Sequence, residues 1–249
     1  MNYDTTQLDF TYDLKTNTYD ATFGNVLRPN CVLRYQQQAG EEQLEYFDAG
    51  FDKLAQKGMA FVVTNTKCII NRTPKYGEKI HMVTWNRGIK GAKFYRSYNW
   101  YNENDELLVE SSTAFALVDI INHRFCRPDS LELPMPFDFD KQNSAGTPKR
   151  VTFGDESDFV KVGERRITAS LIDANGHLNN AFYVDFLTDY VDNTENSEVE
   201  SFAIDFICES RLKETVQVYR AERDGVVYYY GEHERGRSFR ASCTYRERK

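Results

Sequence analysis

The sequence predicts an α+β protein in which a helix followed by a run of antiparallel strands occurs twice, each sheet wrapped around a central helix. Three observations carry this expectation. Leu44, Phe47, Phe51 and Leu54 recur at helical spacing and precede stretches rich in β-branched and aromatic residues. A proline-rich, polar segment then interrupts the chain. Beyond it a second helical stripe, Val184, Leu187 and Val191, again leads into strands. Two unrelated α+β domains are the competing reading of this pattern.

Residues 30–58 read as a helix, because weak strand formers (Gln, Glu, Lys) fill the gaps between the apolar positions; Gly40 and Gly50 are candidate breaks. Strands follow over residues 61–71, 79–85, 92–101 and 107–121, with Asn104 and Asp105 marking a hairpin turn between the last two. The segment 128–157 holds four of the six prolines and the polar run 141–149, which suits an irregular connection. The order then repeats. A strand is expected around 166–171, a helix around 180–191, and strands near 199–208, 215–222, 226–230 and 238–245. Asp224 and Gly225 supply the hairpin signal in this half.

Composition narrows the function. A chain of 249 residues, 41% hydrophobic and 14% aromatic, has material for one large core or two modest ones. No apolar run approaches the roughly 20 residues that span a bilayer. A net charge of −7 opposes general affinity for nucleic acid or anionic membrane, so neither is an expected partner. Cys31, Cys68, Cys126, Cys208 and Cys243 form an odd, scattered set without a C-x-x-C pair, which argues against a disulfide framework or a zinc site. His81, His123 and His233 form no ligand spacing with His177, and no metal is expected. The opening residues have neither the apolar stretch of a secretion signal nor the Arg-rich character of a transit peptide, so the expected location is the cytoplasm.

The chemistry concentrates in residues 171–186, LIDANGHLNNAFYVDF, where a strand turns directly into the second helix. Asp173, Asn175 and His177 crowd the turn, Gly176 permits it, and Asn179 or Asn180 is placed to cap the helix. Turn and cap chemistry accounts for any one of these residues. It does not call for an imidazole that titrates near neutral pH beside them. Free N–H groups at the helix start would offer a site for developing negative charge, such as that on a carbonyl under attack.

The pattern Asp-x-Asn-x-His-x-Asn-Asn-x-x-Tyr, here Asp173, Asn175, His177, Asn179, Asn180 and Tyr183, resembles the active-site motif of plant and bacterial acyl-acyl-carrier-protein (acyl-ACP) thioesterases. The likeness extends to Phe61-Val62-Val63-Thr64 followed by Pro74, Tyr76-Gly77-Glu78 and Thr84-Trp85, and to Leu117-Val118 leading to Asn122 and Arg124. It implies two tandem hot-dog domains: residues 1–128 for acyl-chain binding, 129–157 as linker and 158–249 for catalysis. The family's further catalytic Glu matches Glu209. Plant members often carry a cysteine after that Glu, where this chain has Ser210, so a cysteine mechanism is in doubt. Arg28-Pro29-Asn30-Cys31 stands where a first-half motif would lie, which leaves one active site.

The function implied is hydrolysis of fatty acyl-ACP thioesters by water, with Glu209 or His177 as general base, Asp173 orienting the group and Asn175 positioning the thioester. No cofactor is implied. The partner is an acyl carrier protein, and Asn179, Asn180, Arg211 and Lys213 are the substrate-binding candidates, with Arg165 and Arg166 as further docking residues. An acyl-CoA thioesterase and a non-catalytic acyl-binding module are the alternatives. Acyl chain length and oligomeric state stay open, a homodimer included.

Overall fold

The structure, a computed structural model, describes residues 7–122, 124–131 and 136–248. The opening residues Met1–Thr5, His123 and part of the expected connection, including Pro134, lie outside the described residues. The chain begins with β1 (Asp9–Lys15) and the short pair β2 (Ala21–Thr22) and β3 (Val26–Leu27), followed by α1 (Pro29–Tyr46) and α2 (Phe51–Gln56). Next come β4 (Met59–Ile70), β5 (Lys79–Lys90), β6 (Lys93–Asn102) and β7 (Leu107–Asp119), with β8 (Arg124–Phe125) beside β7. The second half contains β9 (Val160–Arg166), a 3-10 turn (Asn180–Phe182) running into α3 (Tyr183–Asp189), and then β10 (Ser197–Phe206), β11 (Thr215–Arg223), β12 (Val226–His233) and β13 (Gly236–Glu247).

Apart from β2 and β3, the described strands form one antiparallel sheet in the order β1-β5-β6-β7-β4-β10-β13-β12-β11-β9. Each half read from its outer edge is first, third, fourth, fifth and second strand, so the two hot-dog units share one topology. They meet where β4 pairs with β10, from Ser201 opposite Ile69 to Asp205 opposite Asn65. The helices cover one face. Val32, Cys68, Met82 and Trp100 from the first half join Val184, Phe186, Ile204 and Phe239 from the second in a single buried cluster. Ile204 at the seam is fully buried, which stabilises the fold by about 1.5–3 kcal/mol relative to exposure.

Several boundaries differ from the sequence expectation. Helix α1 runs unbroken through Gly40, since a Cβ there would sit 3.2 Å from the Tyr98 hydroxyl; glycine lets helix and sheet approach closely. The break falls at residues 47–50, at the second candidate: Asp48 has φ 54° and Gly50 opens α2. The strand expected at 166–171 is β9, which ends at Arg166; Ala169–Leu171 is a 3-10 turn. Strand β1 lies outside the expected elements, although Phe10, Tyr12 and Leu14 alternate as an edge strand should. At the expected hairpin, Asp224 and Gly225 adopt φ 52° and 75°, the left-handed pair that a two-residue turn of this twist requires.

The described part of the connection lies on the face opposite the helices. Trp85 Nε1 donates to the Lys141 carbonyl at 3.0 Å, and Asn143 Nδ2 donates to Asn99 Oδ1 at 3.0 Å. Asp205, beside the seam, accepts from the Val151 N–H at 2.7 Å and from Asn65 Nδ2 at 3.3 Å, tying the connection and both halves together.

Candidate active site

The segment after β9 folds as a tight hairpin. Ile172 and Leu178 pair across it, the Asp173 N–H donates to the His177 carbonyl at 2.9 Å, and Gly176 turns the chain with φ 79°. Asp173 Oδ1 accepts from the N–H groups of Asn175 (2.9 Å) and His177 (3.4 Å), so Asp173 fixes the loop's backbone. Asn175 is exposed at the tip, while His177 is half-buried. Asn179 caps the following turn by accepting from the Ala181 N–H at 2.9 Å, and its Nδ2 donates to Gln37 Oε1 of α1 at 3.3 Å. Asn180 is half-buried in that first turn.

One expectation is corrected here. The Ala181 and Phe182 N–H groups at the helix start are both taken by Asn179, and α3 itself has only seven residues. Neither of these two donors is therefore free to meet an oxyanion.

The second part of the site comes from the end of β10. Strand β10 stops at Phe206, and the N–H groups of Ile207 and Cys208 both donate to the Ser238 carbonyl, at 2.9 and 3.1 Å. The shared acceptor marks a bulge at the strand's end. Phe206 and Ser210 both meet Tyr183 on the inner side, where Ser210 is fully buried and its hydroxyl meets Ser238 Oγ at 2.8 Å and Tyr183 Oη at 3.2 Å, while Glu209 faces outward. His177 then pairs with Arg211 in an antiparallel bridge, and the Leu178 N–H donates to the Ser210 carbonyl at 2.8 Å. The hairpin loop and the Glu209 turn thus lie side by side. Asp173, Asn175, His177 and Glu209 are brought into two adjacent turns.

Glu209 is clamped by guanidinium groups: Arg211 Nη2 lies 2.8 Å and Arg235 Nη1 3.3 Å from Oε1. Partial burial acts to raise its carboxyl, but its own backbone N–H, Arg211, Arg235 and the nearby His177 together hold it below the ordinary carboxylate range. Arg235 also bonds Glu214 at 2.6 Å and brings that carboxyl down to about 2. Behind the clamp, the His233 imidazole is buried. Its Nδ1 accepts from the Arg235 N–H at 3.2 Å, which leaves Nε2 to donate to the Glu209 carbonyl at 3.2 Å. Cys208 Sγ lies 3.3 Å from Arg235 Nη1.

Arg235, Glu214 and His233 escaped sequence reasoning. Glu214 sits in the turn just before β11, where it accepts from the Arg211 N–H at 2.7 Å, whereas His233 and Arg235 are far from Glu209 in sequence and the hairpin of β12 and β13 brings them there. Among the docking candidates, Arg166, Arg211 and Lys213 are exposed, whereas Arg165 is engaged by Asp185 and Asp189 of α3. His81 is an exposed partner of Asp13 at 2.7 Å. Among the described residues no group of three or more His, Cys, Asp or Glu is arranged to hold a metal ion, and no helix is long and apolar enough to cross a membrane. The open groove lined by Asp13, Lys79, His81 and Glu103 shares no residue with the His177 constellation.

Comparison with curated protein sequences finds no match. Among solved structures, the chain is similar to an acyl-ACP thioesterase from Bacteroides thetaiotaomicron (TM-score 0.84, 13% identity, 98% of this chain and 100% of that one). It is similar also to a putative oleoyl thioesterase from Lactobacillus plantarum (TM-score 0.79, 16% identity, 97% of each chain). A third likeness is to a 12:0-ACP thioesterase from Umbellularia californica (TM-score 0.76, 15% identity, 97% of this chain and 98% of that one). At these identities the likeness establishes the fold. Family models settle the lineage: the acyl-ACP thioesterase N-terminal domain matches residues 7–130 and the C-terminal domain matches residues 160–245. The chain belongs to the acyl-ACP thioesterase family.

Proposed function

We propose that the protein hydrolyses fatty acyl-ACP thioesters in the cytoplasm, releasing a free fatty acid and the carrier's thiol, with water as nucleophile. The observation that supports this most is the backbone bridge between His177 and Arg211, which runs the His177 loop alongside the turn that carries the clamped Glu209 carboxylate. A carboxylate held low by two guanidinium groups is a weak base but a dependable negative charge. His177 therefore takes the proton of the attacking water, and Glu209 stabilises the imidazolium that results. Asn175 directs its side-chain amide at the thioester carbonyl, where negative charge develops. Asp173 holds the loop that carries both.

Neither Ser210 nor Cys208 is needed as a nucleophile. Ser210 is sealed among hydroxyl groups with no adjacent base. In this reading residues 1–128 bind the acyl chain and residues 158–249 carry the chemistry, joined by 129–157. Asn179 and Asn180 shape the entrance, and the exposed Arg166, Arg211 and Lys213 receive the acidic carrier. The constellation lies within one chain, so a homodimer is not required for turnover.

The test is an assay of purified protein against ACP and CoA thioesters of the same acyl group. A higher kcat/KM on the ACP substrate, with an advantage that shrinks as salt is added, is expected. Equal rates on both carriers would overturn the carrier assignment.

A further inference from the structure

The first half carries a polar layer between α1 and the sheet that its own contacts do not satisfy. On α1, Gln36 and Gln43 face the sheet and are 3% and 1% exposed. On the sheet, Thr84, Tyr98 and Ser111 form one cross-strand row, and Asn86, Arg96 and Thr113 form the next. One part of the layer is paired: Arg96 Nη1 donates to Gln43 Oε1 and, at 3.4 Å, to Thr84 Oγ1, while Asn86 Nδ2 donates to Gln43 Oε1 at 3.3 Å.

The other part is not. Both amide atoms of Gln36, Trp100 Nε1 and Ser111 Oγ are buried and have no hydrogen-bond partner among the described residues. These groups are neighbours. Trp100 lies two residues beyond Tyr98 on the same face of β6, and Ser111 pairs with Tyr98 across to β7. Gln36 sits on α1 between Tyr35, whose ring meets Trp100 edge-on at 6.1 Å, and Gly40, which abuts Tyr98. The second half has no equivalent: its helix–sheet layer is filled by Phe186 stacked on Phe239 at 5.1 Å and by Tyr183.

Buried donors and acceptors left unpaired are costly and rare. Water serves such groups when nothing else occupies the space, but a plain methylene chain displaces water and offers no replacement bond. The layer also begins beside the catalytic loop, because Asn179, two residues past His177, bonds Gln37, the neighbour of Gln36. Resting on the thioesterase reading above, we infer that the substrate is an acyl chain bearing a hydroxyl or oxo oxygen near its thioester end. A hydroxyl both donates and accepts, as do the Gln36 amide and the Ser111 hydroxyl, while Trp100 Nε1 donates to either kind of oxygen.

The test compares 3-hydroxyacyl-ACP, 3-oxoacyl-ACP and unsubstituted acyl-ACP of equal chain length on the wild type, on Gln36→Met and on Ser111→Ala. Gln36→Met keeps volume and removes both polar atoms, and Ser111→Ala is a minimal change that guards against misfolding in the first variant. At least one oxygenated substrate should exceed the plain chain by about tenfold or more in kcat/KM. Each variant should reduce that ratio severalfold while turnover of the plain chain holds or rises. A wild type that prefers the plain chain, or a ratio unmoved in both variants, overturns the inference and leaves the thioesterase reading intact. No hydrolysis of any of the three substrates contradicts the thioesterase reading itself, and the inference falls with it.

Discussion

Replacing Arg235 with Gln probes the electrostatic clamp on Glu209 directly. The guanidinium lies 3.3 Å from Glu209 Oε1, a separation worth ~1.3 kcal/mol between unit charges even in a water-like dielectric. The Glu209 side chain is 38% exposed and the Arg235 side chain 32%, so solvent screening and side-chain freedom lower the effective contribution to about 0.5–1 kcal/mol. Arg211 remains in place at 2.8 Å. Arg235 favours the ionised carboxyl, so its removal raises the pH at which Glu209 takes up a proton. At 1.36 kcal/mol per pH unit the midpoint should rise by about half a unit. Carboxyl carbon-13 NMR titration, with the resonance assigned by its absence in Glu209→Gln, reads this without reference to turnover. A midpoint that stays put or moves down would refute the clamp.

Three further outcomes follow from other contacts. Burial is the leading cause that raises the Asp185 carboxyl to about 6, with Asp189 adding to it and Arg165 opposing. The folded state therefore loses stability as pH rises from about 4 through about 6, and Asp185→Asn should gain about 1–3 kcal/mol at pH 7 and little at pH 4; equal effects in urea titrations at the two pH values would contradict this. Ile204→Ala opens a cavity at the fully buried seam and should destabilise the protein by about 2–5 kcal/mol in urea denaturation, whereas a loss under about 1 kcal/mol would mean that the seam relaxes. Charge reversal at the exposed Arg211 and Lys213 should raise KM for acyl-ACP at low salt and matter less at high salt, and unchanged kinetics would remove both from the docking surface.

The repeated architecture was legible because its signals are local. Helical stripes, β-branched stretches and the Asp224-Gly225 turn each carry their meaning within a few residues, and together they announce two similar units. Strand β1 shows the same local alternation and was readable in principle. Gly40 was misleading, because the reason for a glycine there is the Tyr98 hydroxyl on a strand far along the chain. The site divides in the same way. Asp173, Asn175 and His177 sit in one contiguous loop, and Glu209 stood out only through a family resemblance. The bulge at which Ile207 and Cys208 share one acceptor is one that no residue type in the segment reveals. Arg235 and His233 depend on the pairing of β12 with β13, and the polar layer under α1 depends on three strands and a helix meeting. Such arrangements are properties of the fold, beyond the reach of spacing.

The most direct test of the account is the rate of acyl-ACP hydrolysis by His177→Ala, Glu209→Gln, Cys208→Ala and Ser210→Ala, with mass spectrometry of the enzyme quenched during turnover. Loss of about 10²–10⁴-fold in kcat is expected for the first two, with the last two within about tenfold of wild type and no acyl adduct on the chain. Near-normal turnover in His177→Ala or Glu209→Gln, or an acyl group trapped on Cys208 or Ser210, would contradict a water mechanism at this site.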